Sequence, residues 1–219
     1  MWDARPIEVE SLGERLAREL RRGIILGEIA DGARLVEEEL ATTFGVSRGP
    51  VRDAVKLLRT EGLVSGSGRH VVARPLSDDD IDELMALREA FEVLAVERAM
   101  RRHPQALARE LADALSDMEA AAQGADIAAF TCADLRFHSA FFAAADMTRL
   151  SLLWNQFRPT IEGLLDASGH ALQDLMQVTI EHQDLAKSIA NGEVDTAKNE
   201  LHRHLSSTCM RLQVRNSAD

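Results

Sequence analysis

One aspartate and three histidines in the second half of the chain have the types and spacing expected of metal ligands. Asp134 and His138 are four residues apart, so a helix places them on one face. His182 and His204 lie on opposite sides of Asn191-Gly192, a dipeptide typical of a turn. If antiparallel helices flank that turn, both histidines lie roughly 14–18 Å from it, at a similar depth. The four side chains are therefore expected to meet inside a helical bundle.

Imidazole and carboxylate ligands suit a divalent transition metal, with zinc as the first expectation and nickel or manganese as alternatives. The competing interpretation is that these side chains are ordinary polar residues on solvated helices. Spacing alone does not decide between the two interpretations. The remaining histidines of this half are left out of the set: His103 and His170 flank helix breaks, and His202 faces differently from His204.

Arg88 is a second candidate binding residue. It borders the apolar face of segment 84–100, in which Leu87, Phe91 and Leu94 are expected to point inward. In one interpretation it forms an i,i+4 ion pair with Glu92, worth about 0.2–0.5 kcal/mol. In the other, its guanidinium binds a carboxylate ligand inside the bundle through paired N–H donors. The sequence favours neither interpretation.

The first half of the chain contains a segment, 45–62, with separate basic and apolar faces. The basic residues are Arg48, Arg52, Lys56 and Arg59, and the adjoining apolar residues are Val51, Ala54, Val55 and Leu58. Ser47 is placed to cap the start of this helix, and Pro50 is tolerated in its first turn. A helix that packs on one face and keeps a basic face free suits a DNA groove, although a solvated surface helix carries similar charges.

The neighbouring segments complete a winged helix-turn-helix pattern. The expected elements are helices at 8–26 and Glu37–Phe44, then the basic helix, then short strands at Leu63-Val64 and Val71-Val72. Gly45 is expected to end the second helix in the left-handed conformation. A Gly/Ser turn joins the two strands into a wing, which places Arg69 and His70 near its tip.

After residue 75 the pattern is helical throughout. The expected helices span about 78–102, 104–124, 126–146, 148–167, 171–190 and 193–213, with Pro159 as a kink or an early break. Ser77 and Asp80 form a capping-box pattern at the first of them. The sequence thus predicts a mainly α protein, with a winged helix-turn-helix domain at 1–75 and an all-helical bundle of about six helices at 76–219.

Charge is divided unequally between these halves. The net charge of −11 lies entirely in residues 76–219, because residues 1–75 contain 12 basic and 12 acidic residues. Within 45–75 there are six basic residues and two acidic ones, so the basic helix lies in a locally positive region. Local charge determines attraction to phosphates, and an acidic bundle is expected to lie away from DNA.

Composition favours a folded cytoplasmic protein. Hydrophobic residues make up 46% of the chain and charged residues 28%, and the apolar runs are shorter than the roughly 20 residues needed to cross a bilayer. The amino terminus lacks the apolar core of an export signal. Two cysteines, Cys132 and Cys209, are too few for a disulfide framework, and Cys132 is expected to lie in the core.

Two stretches resemble a known family. The run GARLVEEELATTFGVSRGPVRDAVKLLRTEGLV is similar to the winged helix-turn-helix of the GntR family of bacterial transcription regulators. The second half resembles the FadR-type effector domain called FCD. The matching motifs there are DLRFH at 134–138, EH at 181–182, HRHL at 202–205 and LREAFE at 87–92.

The resemblance implies roles for individual residues. It places seven of them at double-stranded operator DNA, namely Arg34, Ser47, Arg48, Pro50, Arg52, Arg69 and His70. It implies that the four-residue set holds a metal, that a small organic or sugar acid binds near it with Arg88 in contact, and that the protein is a homodimer on a pseudo-palindromic operator. The expected function is a ligand-controlled transcription regulator that acts as a repressor.

Two features depart from the family pattern, and two other functions compete. The wing SGSGRH is short and lacks the usual Asn-Arg-Gly tip, and Asp146 replaces a common asparagine. The competing enzyme is a helical metallohydrolase with a nucleic-acid-binding domain, although four protein ligands leave little room for substrate and no general base is evident. The other competitor is a bundle that only dimerises the protein.

Overall fold

The computed structural model describes residues 10–68, 70–168 and 172–216, with side chains left out at 172–174 and 214–216. The chain divides into two compact units, Met1–Pro75 and Leu76–Asp219. The helices of the first unit are α1 (Leu12–Ile25), α2 (Glu37–Thr43) and α3 (Arg48–Thr60), followed by strands β1 (Val64–Ser67) and β2 (His70–Ala73). The helices of the second unit are α4 (Asp78–Arg102), α5 (Pro104–Gly124), α6 (Ile127–Ala145), α7 (Thr148–Ala167), α8 (Leu172–Ala190) and α9 (Val194–Asn216).

Helix α1 spans Leu12–Ile25, so the predicted start at residue 8 was too early, and the predicted end at 26 is one residue late. Ser11 and Glu14 form a reciprocal capping box at its start, and Gly27 follows its end with φ +74°. Its buried side chains include Leu16, Leu20 and Ile24, and the helix packs on α3. This packing provides the core that supports α3.

The predicted faces of α3 are confirmed. Val51, Ala54, Val55 and Leu58 are buried, and all four basic residues of the helix are exposed. Gly45 has φ +63°, the left-handed conformation expected at the tight turn before it. The predicted end of the second helix at Phe44 is one residue late: Phe44 lies just beyond α2 and is 41% exposed.

Ser47 occupies the position expected of the cap, but its hydroxyl makes no capping hydrogen bond. An N-cap side chain accepts from the second or third backbone N–H of the helix. The third residue here, Pro50, has no N–H, so only the Gly49 N–H remains, and Ser47 does not bond to it. The prediction was therefore correct about the position of Ser47 and wrong about its hydrogen bond.

The strands of the wing are longer than the sequence suggests. β1 and β2 pair antiparallel from Val64 opposite Ala73 to Ser67 opposite His70. The predicted strands at Leu63-Val64 and Val71-Val72 were too short because Gly66 extends β1 with φ +83°. A Cβ at Gly66 would lie 1.9 Å from the His70 carbonyl oxygen, so only glycine fits there. Arg69 lies outside the described residues.

The second unit follows the predicted order of helices closely. Ser77 and Asp80 form the expected capping box, and the Asp126 side chain accepts from the Ala129 N–H at 2.9 Å. Asp146 ends α6 in the left-handed conformation, which aspartate tolerates better than most residues. Pro159 does not end its helix: α7 continues through it to Ala167.

Helix α6 lies among α4, α5 and α7, while α8 packs on α5 and α9, and α9 packs on α4. The aromatic core of α6 includes Phe137 and Phe141, both fully buried. Two expectations about the core are wrong: Leu94 is 47% exposed, and Cys132 is exposed on the outer face of α6. Within the described part of the chain, no helix is long and apolar enough to cross a membrane.

Candidate metal centre and nucleic-acid surface

The four predicted metal ligands come together in the core of the second unit. Asp134 and His138 project from α6, His182 from α8 and His204 from α9. All four side chains are buried, and one ligand atom from each lies within 4.8 Å of the others. The argument from depth in antiparallel helices thus correctly placed His182 of α8 and His204 of α9 at the same point.

Nitrogen and oxygen atoms of different side chains lie close together inside this cluster. His182 Nε2 lies 3.2 Å from His138 Nε2 and 3.2 Å from Asp134 Oδ1. The rings of His182 and His204 are 4.3 Å apart between centroids. Asp134 Oδ2 is buried and has no hydrogen-bond partner among the described residues.

The other nitrogen of each imidazole has an acceptor beside it. His138 Nδ1 lies 2.5 Å from Glu92 Oε2, and His204 Nδ1 lies 3.0 Å from Glu181 Oε2. His182 Nδ1 lies 2.8 Å from the carbonyl oxygen of Val178, one turn earlier on α8. Because a carbonyl or a carboxylate can only accept here, each Nδ1–H donates. Each neutral imidazole therefore turns the lone pair of its Nε2 toward the cluster.

Burial favours the neutral forms of His138 and His204. It lowers the pKa of His138, and it lowers the pKa of His204 to about 3. Burial alone would raise the pKa values of Asp134 and Glu92, but the positive charge of Arg88, together with the hydrogen bonds that Glu92 accepts from His138 and Arg88, holds both below their usual range. Neutral imidazoles and an ionised carboxylate are the protonation states that bind metal.

The residues present fit a four-coordinate divalent ion. Two Nε2 atoms with lone pairs facing each other at 3.2 Å have no proton to share between them, and a cation between such atoms would remove their repulsion. In a tetrahedral site with metal–nitrogen bonds of about 2.0–2.1 Å, ligand atoms are roughly 3.3 Å apart. The observed separations of His182 from His138 and from Asp134 are close to this value.

Arg88 is buried rather than at the border of the apolar face, since only 2% of it is exposed. Its Nε donates to Glu92 Oε1 at 2.6 Å, so the i,i+4 pair forms inside the bundle and not on the solvated surface. The guanidinium carbon lies 6.0 Å from the centre of the Trp154 ring. The Nη2 atom is buried and has no hydrogen-bond partner within the described chain. Both interpretations of Arg88 therefore remain open: its Nε pairs with Glu92, and its Nη2 can still donate to a ligand.

Sequence reasoning missed the residues that support this centre from outside. Glu92 was considered only as a partner of Arg88, although it also holds His138. The contact of Glu181 with His204 was not foreseen, although the EH pair placed it beside a ligand. Trp154 carried no sequence signal for its position near Arg88. Pairing within one helix follows from spacing, whereas these contacts join different helices.

The residues expected at DNA are exposed on the first unit, with Pro50 half-buried and Arg69 outside the described residues. Ser47, Arg48, Pro50 and Arg52 lie at or before the first turns of α3. Arg48 forms an ion pair with Glu38 of α2 at 2.9 Å. The backbone of Arg34 forms a β-bridge with Val72, which brings Arg34 beside the strand that contains His70.

A buried ion pair fixes the far end of α3. Arg21 of α1 donates from Nε and Nη2 to the two carboxylate oxygens of Glu61, each at 2.6 Å. Only 8% and 5% of these side chains are exposed. Glu61 directly follows α3, so this fork ties the basic helix to α1.

Comparisons with known proteins match both units. Residues 12–70 match the model of the gntR family of bacterial regulatory proteins, and residues 83–207 match the FCD domain. The FCD match alone covers more than half of the chain. The chain belongs to the GntR family and carries an FCD domain. The family assignment made from the basic helix and the histidine motifs is therefore confirmed.

Individual relatives span nearly the whole protein. The gluconate operon transcriptional repressor of Bacillus licheniformis is 29% identical over 199 residues, which cover 89% of this chain and 82% of that protein. A GntR transcriptional regulator from Rhodococcus sp. RHA1 has a TM-score of 0.69 and 25% identity, over 91% of this chain and 96% of that chain. McbR/YncC of E. coli has a TM-score of 0.76 and 19% identity, over 95% of this chain and 100% of that chain. This likeness shows that the two proteins share a fold.

This GntR-family protein is thus a DNA-binding transcription regulator, as the sequence predicted. The fold prediction is also confirmed: a helix-turn-helix unit precedes an all-helical FCD domain. Its matched families and relatives are regulators, and a buried Asp-His cluster lies within its FCD domain.

Proposed function

We propose that the protein is a metal-containing, ligand-controlled repressor that binds operator DNA as a homodimer in the cytoplasm. A small carboxylate effector enters the FCD domain, binds at the metal and at Arg88, and shifts the population between DNA-binding and released states. Support for repression comes from relatives named as repressors, including that of a gluconate operon. That name also favours an organic or sugar acid as the effector class.

The observation that carries the metal proposal is the shared orientation of three imidazoles. All three Nδ1 atoms donate outward, and the three Nε2 atoms lie in one buried cluster with Asp134. Orientation of ligand histidines by outer hydrogen bonds is typical of metal sites. Zinc fits a mixed nitrogen and oxygen set best, with nickel and manganese as alternatives. When bound, the ion supplies a Lewis-acidic position for an anionic oxygen.

Arg88 supplies the second contact for the effector. Its guanidinium is charged, buried and oriented by Glu92 and Trp154, and its Nη2 has no partner among the described residues. A buried donor of this kind favours a charged acceptor, because a charge-assisted hydrogen bond offsets the cost of its desolvation.

At the DNA, we assign backbone and base-edge contacts to Arg48 and Arg52, and a backbone contact to Arg34. Ser47 and Pro50 are assigned to the DNA-facing start of α3, and Arg69 and His70 to the wing. Helix-turn-helix proteins bind as dimers to paired half-sites, which supports a homodimer on a pseudo-palindromic operator.

Metal analysis of the purified protein tests the centre. Wild type is expected to hold about one ion per chain. His182→Ala is expected to lose it, because removal of a side chain that binds the ion costs more than the about 10- to 100-fold loss seen when a residue that only supports such a side chain is changed. His202→Ala is the matched control, since His202 is exposed and contacts Glu89 instead. The metal proposal would be contradicted if wild type held much less than one ion per chain and His182→Ala did not change that content.

A gel-shift assay with the region upstream of its own gene separates the regulator from the metallohydrolase. Wild type is expected to bind with an affinity that falls steeply as salt rises, and to release the DNA when the correct organic acid is added. D-gluconate is the first acid to try. Absence of DNA binding together with metal-dependent hydrolysis would favour the enzyme.

A further inference from the structure

Glu92 connects the candidate metal centre to the candidate effector residue. It is fully buried on α4, where Oε1 accepts from Arg88 Nε at 2.6 Å and Oε2 accepts from His138 Nδ1 at 2.5 Å. One carboxylate thus makes both contacts at once. We propose that Glu92 is the positioning residue that couples metal binding to effector binding, an inference that rests on the proposed function above.

On the metal side, Glu92 determines which nitrogen of His138 carries the proton. The carboxylate accepts the Nδ1–H, so the lone pair remains on Nε2, the atom that lies 3.2 Å from His182 Nε2. Without this acceptor, the two neutral tautomers of the imidazole differ little in energy. Glu92 therefore keeps His138 in the tautomer that can bind a metal.

On the effector side, Glu92 uses one edge of the guanidinium and leaves the rest for a ligand. Arg88 Nε is occupied by the ion pair, while Nη2 is buried without a partner among the described residues. The ion pair and the Trp154 ring restrict the rotation of the guanidinium, so less entropy is lost when a carboxylate binds.

Charge provides the coupling between the two sides. The buried charged side chains around the centre, among the described residues, are the Arg88 cation and the Glu92 and Asp134 carboxylates, one positive and two negative. Without a metal, an added carboxylate would make this net negative charge larger. A divalent cation makes the net charge positive, and an added carboxylate then neutralises it. Metal and carboxylate should therefore strengthen each other's binding, and by linkage the factor is the same in both directions.

The substitution Glu92→Gln separates coupling from simple packing, because it keeps the shape of the side chain. An amide whose oxygen accepts from Arg88 turns its NH2 group toward His138 Nδ1, which must then accept. The proton of His138 is expected to move to Nε2, the atom needed for the metal. Glu89→Gln on the same helix is the matched control, since Glu89 contacts His202 at an exposed position.

The experiment measures Zn2+ affinity by competition with a chelator, with and without acetate or D-gluconate. In wild type, the carboxylate should tighten Zn2+ binding by about 5- to 150-fold. In Glu92→Gln, Zn2+ affinity alone should fall about 10- to 100-fold, and the carboxylate enhancement should become clearly smaller than in wild type. Glu89→Gln should behave as wild type. The double variant Arg88→Met/Glu92→Gln leaves no unpaired charge at this pair and should lose the enhancement.

A second readout needs no metal or effector. Nitrogen-15 NMR of the metal-free protein should show His138 protonated at Nδ1 in wild type and at Nε2 in Glu92→Gln. The inference is overturned if the variant keeps the Nδ1 proton and the enhancement, or if neither acid changes the wild-type Zn2+ affinity. Wild type that binds Zn2+ but shows no coupling refutes this inference alone. Wild type that binds no Zn2+ refutes the proposed metal centre as well.

Discussion

In the winged helix-turn-helix the charged groups assigned to function are exposed, whereas in the FCD domain they are among the least exposed of the chain. The Arg48 side chain is 58% exposed, while His138, His182 and Glu92 are fully buried. Phosphates are met in solvent, where an exposed cation loses little on desolvation. In the proposed function a small anion binds in the core, where low polarity strengthens each contact and an unpaired charge is costly.

The difference has a consequence for how each unit tolerates change. Exposed ion pairs contribute between zero and about 1 kcal/mol, so the DNA surface can vary with little effect on folding. Buried charges depend on their partners, so changes at the centre should affect both ligand binding and stability. Each prediction below tests one side of this contrast, beginning with the largest effect.

The buried Arg21–Glu61 fork is an exception within the unit of exposed charges. Arg21→Met removes both guanidinium hydrogen bonds from the buried Glu61 carboxylate and is expected to destabilise the protein by up to about 3–5 kcal/mol. Urea unfolding followed by circular dichroism measures this loss. Arg21→Met/Glu61→Leu should recover most of it, because the apolar pair leaves no buried charge, and Arg18→Met is the exposed control. If the free energy of unfolding falls by less than about 1 kcal/mol, the Arg21–Glu61 pair contributes no more than an exposed ion pair.

Removal of a single exposed arginine should change DNA binding and leave folding intact. Arg52→Ala is expected to weaken operator binding by about 1–3 kcal/mol if the guanidinium contacts a base, and to reduce the salt slope by about 1 if it contacts a phosphate. Fluorescence anisotropy across a salt series distinguishes these outcomes.

Arg101→Ala provides the control for that measurement. Arg101 is an exposed arginine on α4 of the other unit, paired with Glu97. Equal loss of DNA affinity in the two variants would mean that overall charge, and not the α3 surface, governs binding.

The buried histidines should make the metal-free protein sensitive to acid. Burial lowers the pKa of His138 and His204 in the folded state, the latter to about 3. Their contribution to stability is complete above the unfolded value of about 6.5, and falls by about 1.4 kcal/mol per pH unit for each as the unfolded chain takes up protons.

Urea unfolding of chelator-treated protein from about pH 7 to about pH 5 measures this dependence, across the unfolded histidine pKa. His204→Gln should show a shallower dependence, because one titrating group is removed. The exposed His70→Gln should match wild type. A stability that is constant across this range would contradict the assignment of buried neutral imidazoles.

The smallest effect is expected at the exposed pair between Arg48 and Glu38. Glu38→Gln should change stability by less than about 1 kcal/mol, because more than half of both side chains is exposed. Operator affinity should rise slightly, since Arg48 loses a competing anion. A fall in affinity would show that Glu38 holds Arg48 in its binding position.

Much of this architecture could be predicted from sequence because its signals are local. The two faces of α3 follow from residues three and four apart, and the capping box at Ser77 follows from residue types at fixed spacing. The convergence of His182 and His204 was predictable because a tight turn joins their helices, so similar distances from Asn191-Gly192 mean similar depths.

The predictions that were wrong depend on contacts between segments far apart in the sequence, or on a side chain or an N–H that a residue lacks. The burial of Arg88 and the bridge from Glu92 to His138 depend on how α4 packs on α6, which spacing within α4 does not specify. The extended wing depends on Gly66 adopting a positive φ inside a strand. The missing Ser47 hydrogen bond could have been foreseen in part, since Pro50 supplies no N–H.

The ligand positions span three helices that are far apart along the chain. Asp134 and His138 lie on α6, while His182 and His204 lie on the last two helices. An ion held by all four acts as a reversible cross-link across about 70 residues, and a closure of that length removes considerable freedom from the unfolded chain. The concentration of available metal in the cell would then set how firmly the carboxyl-terminal helices are fastened.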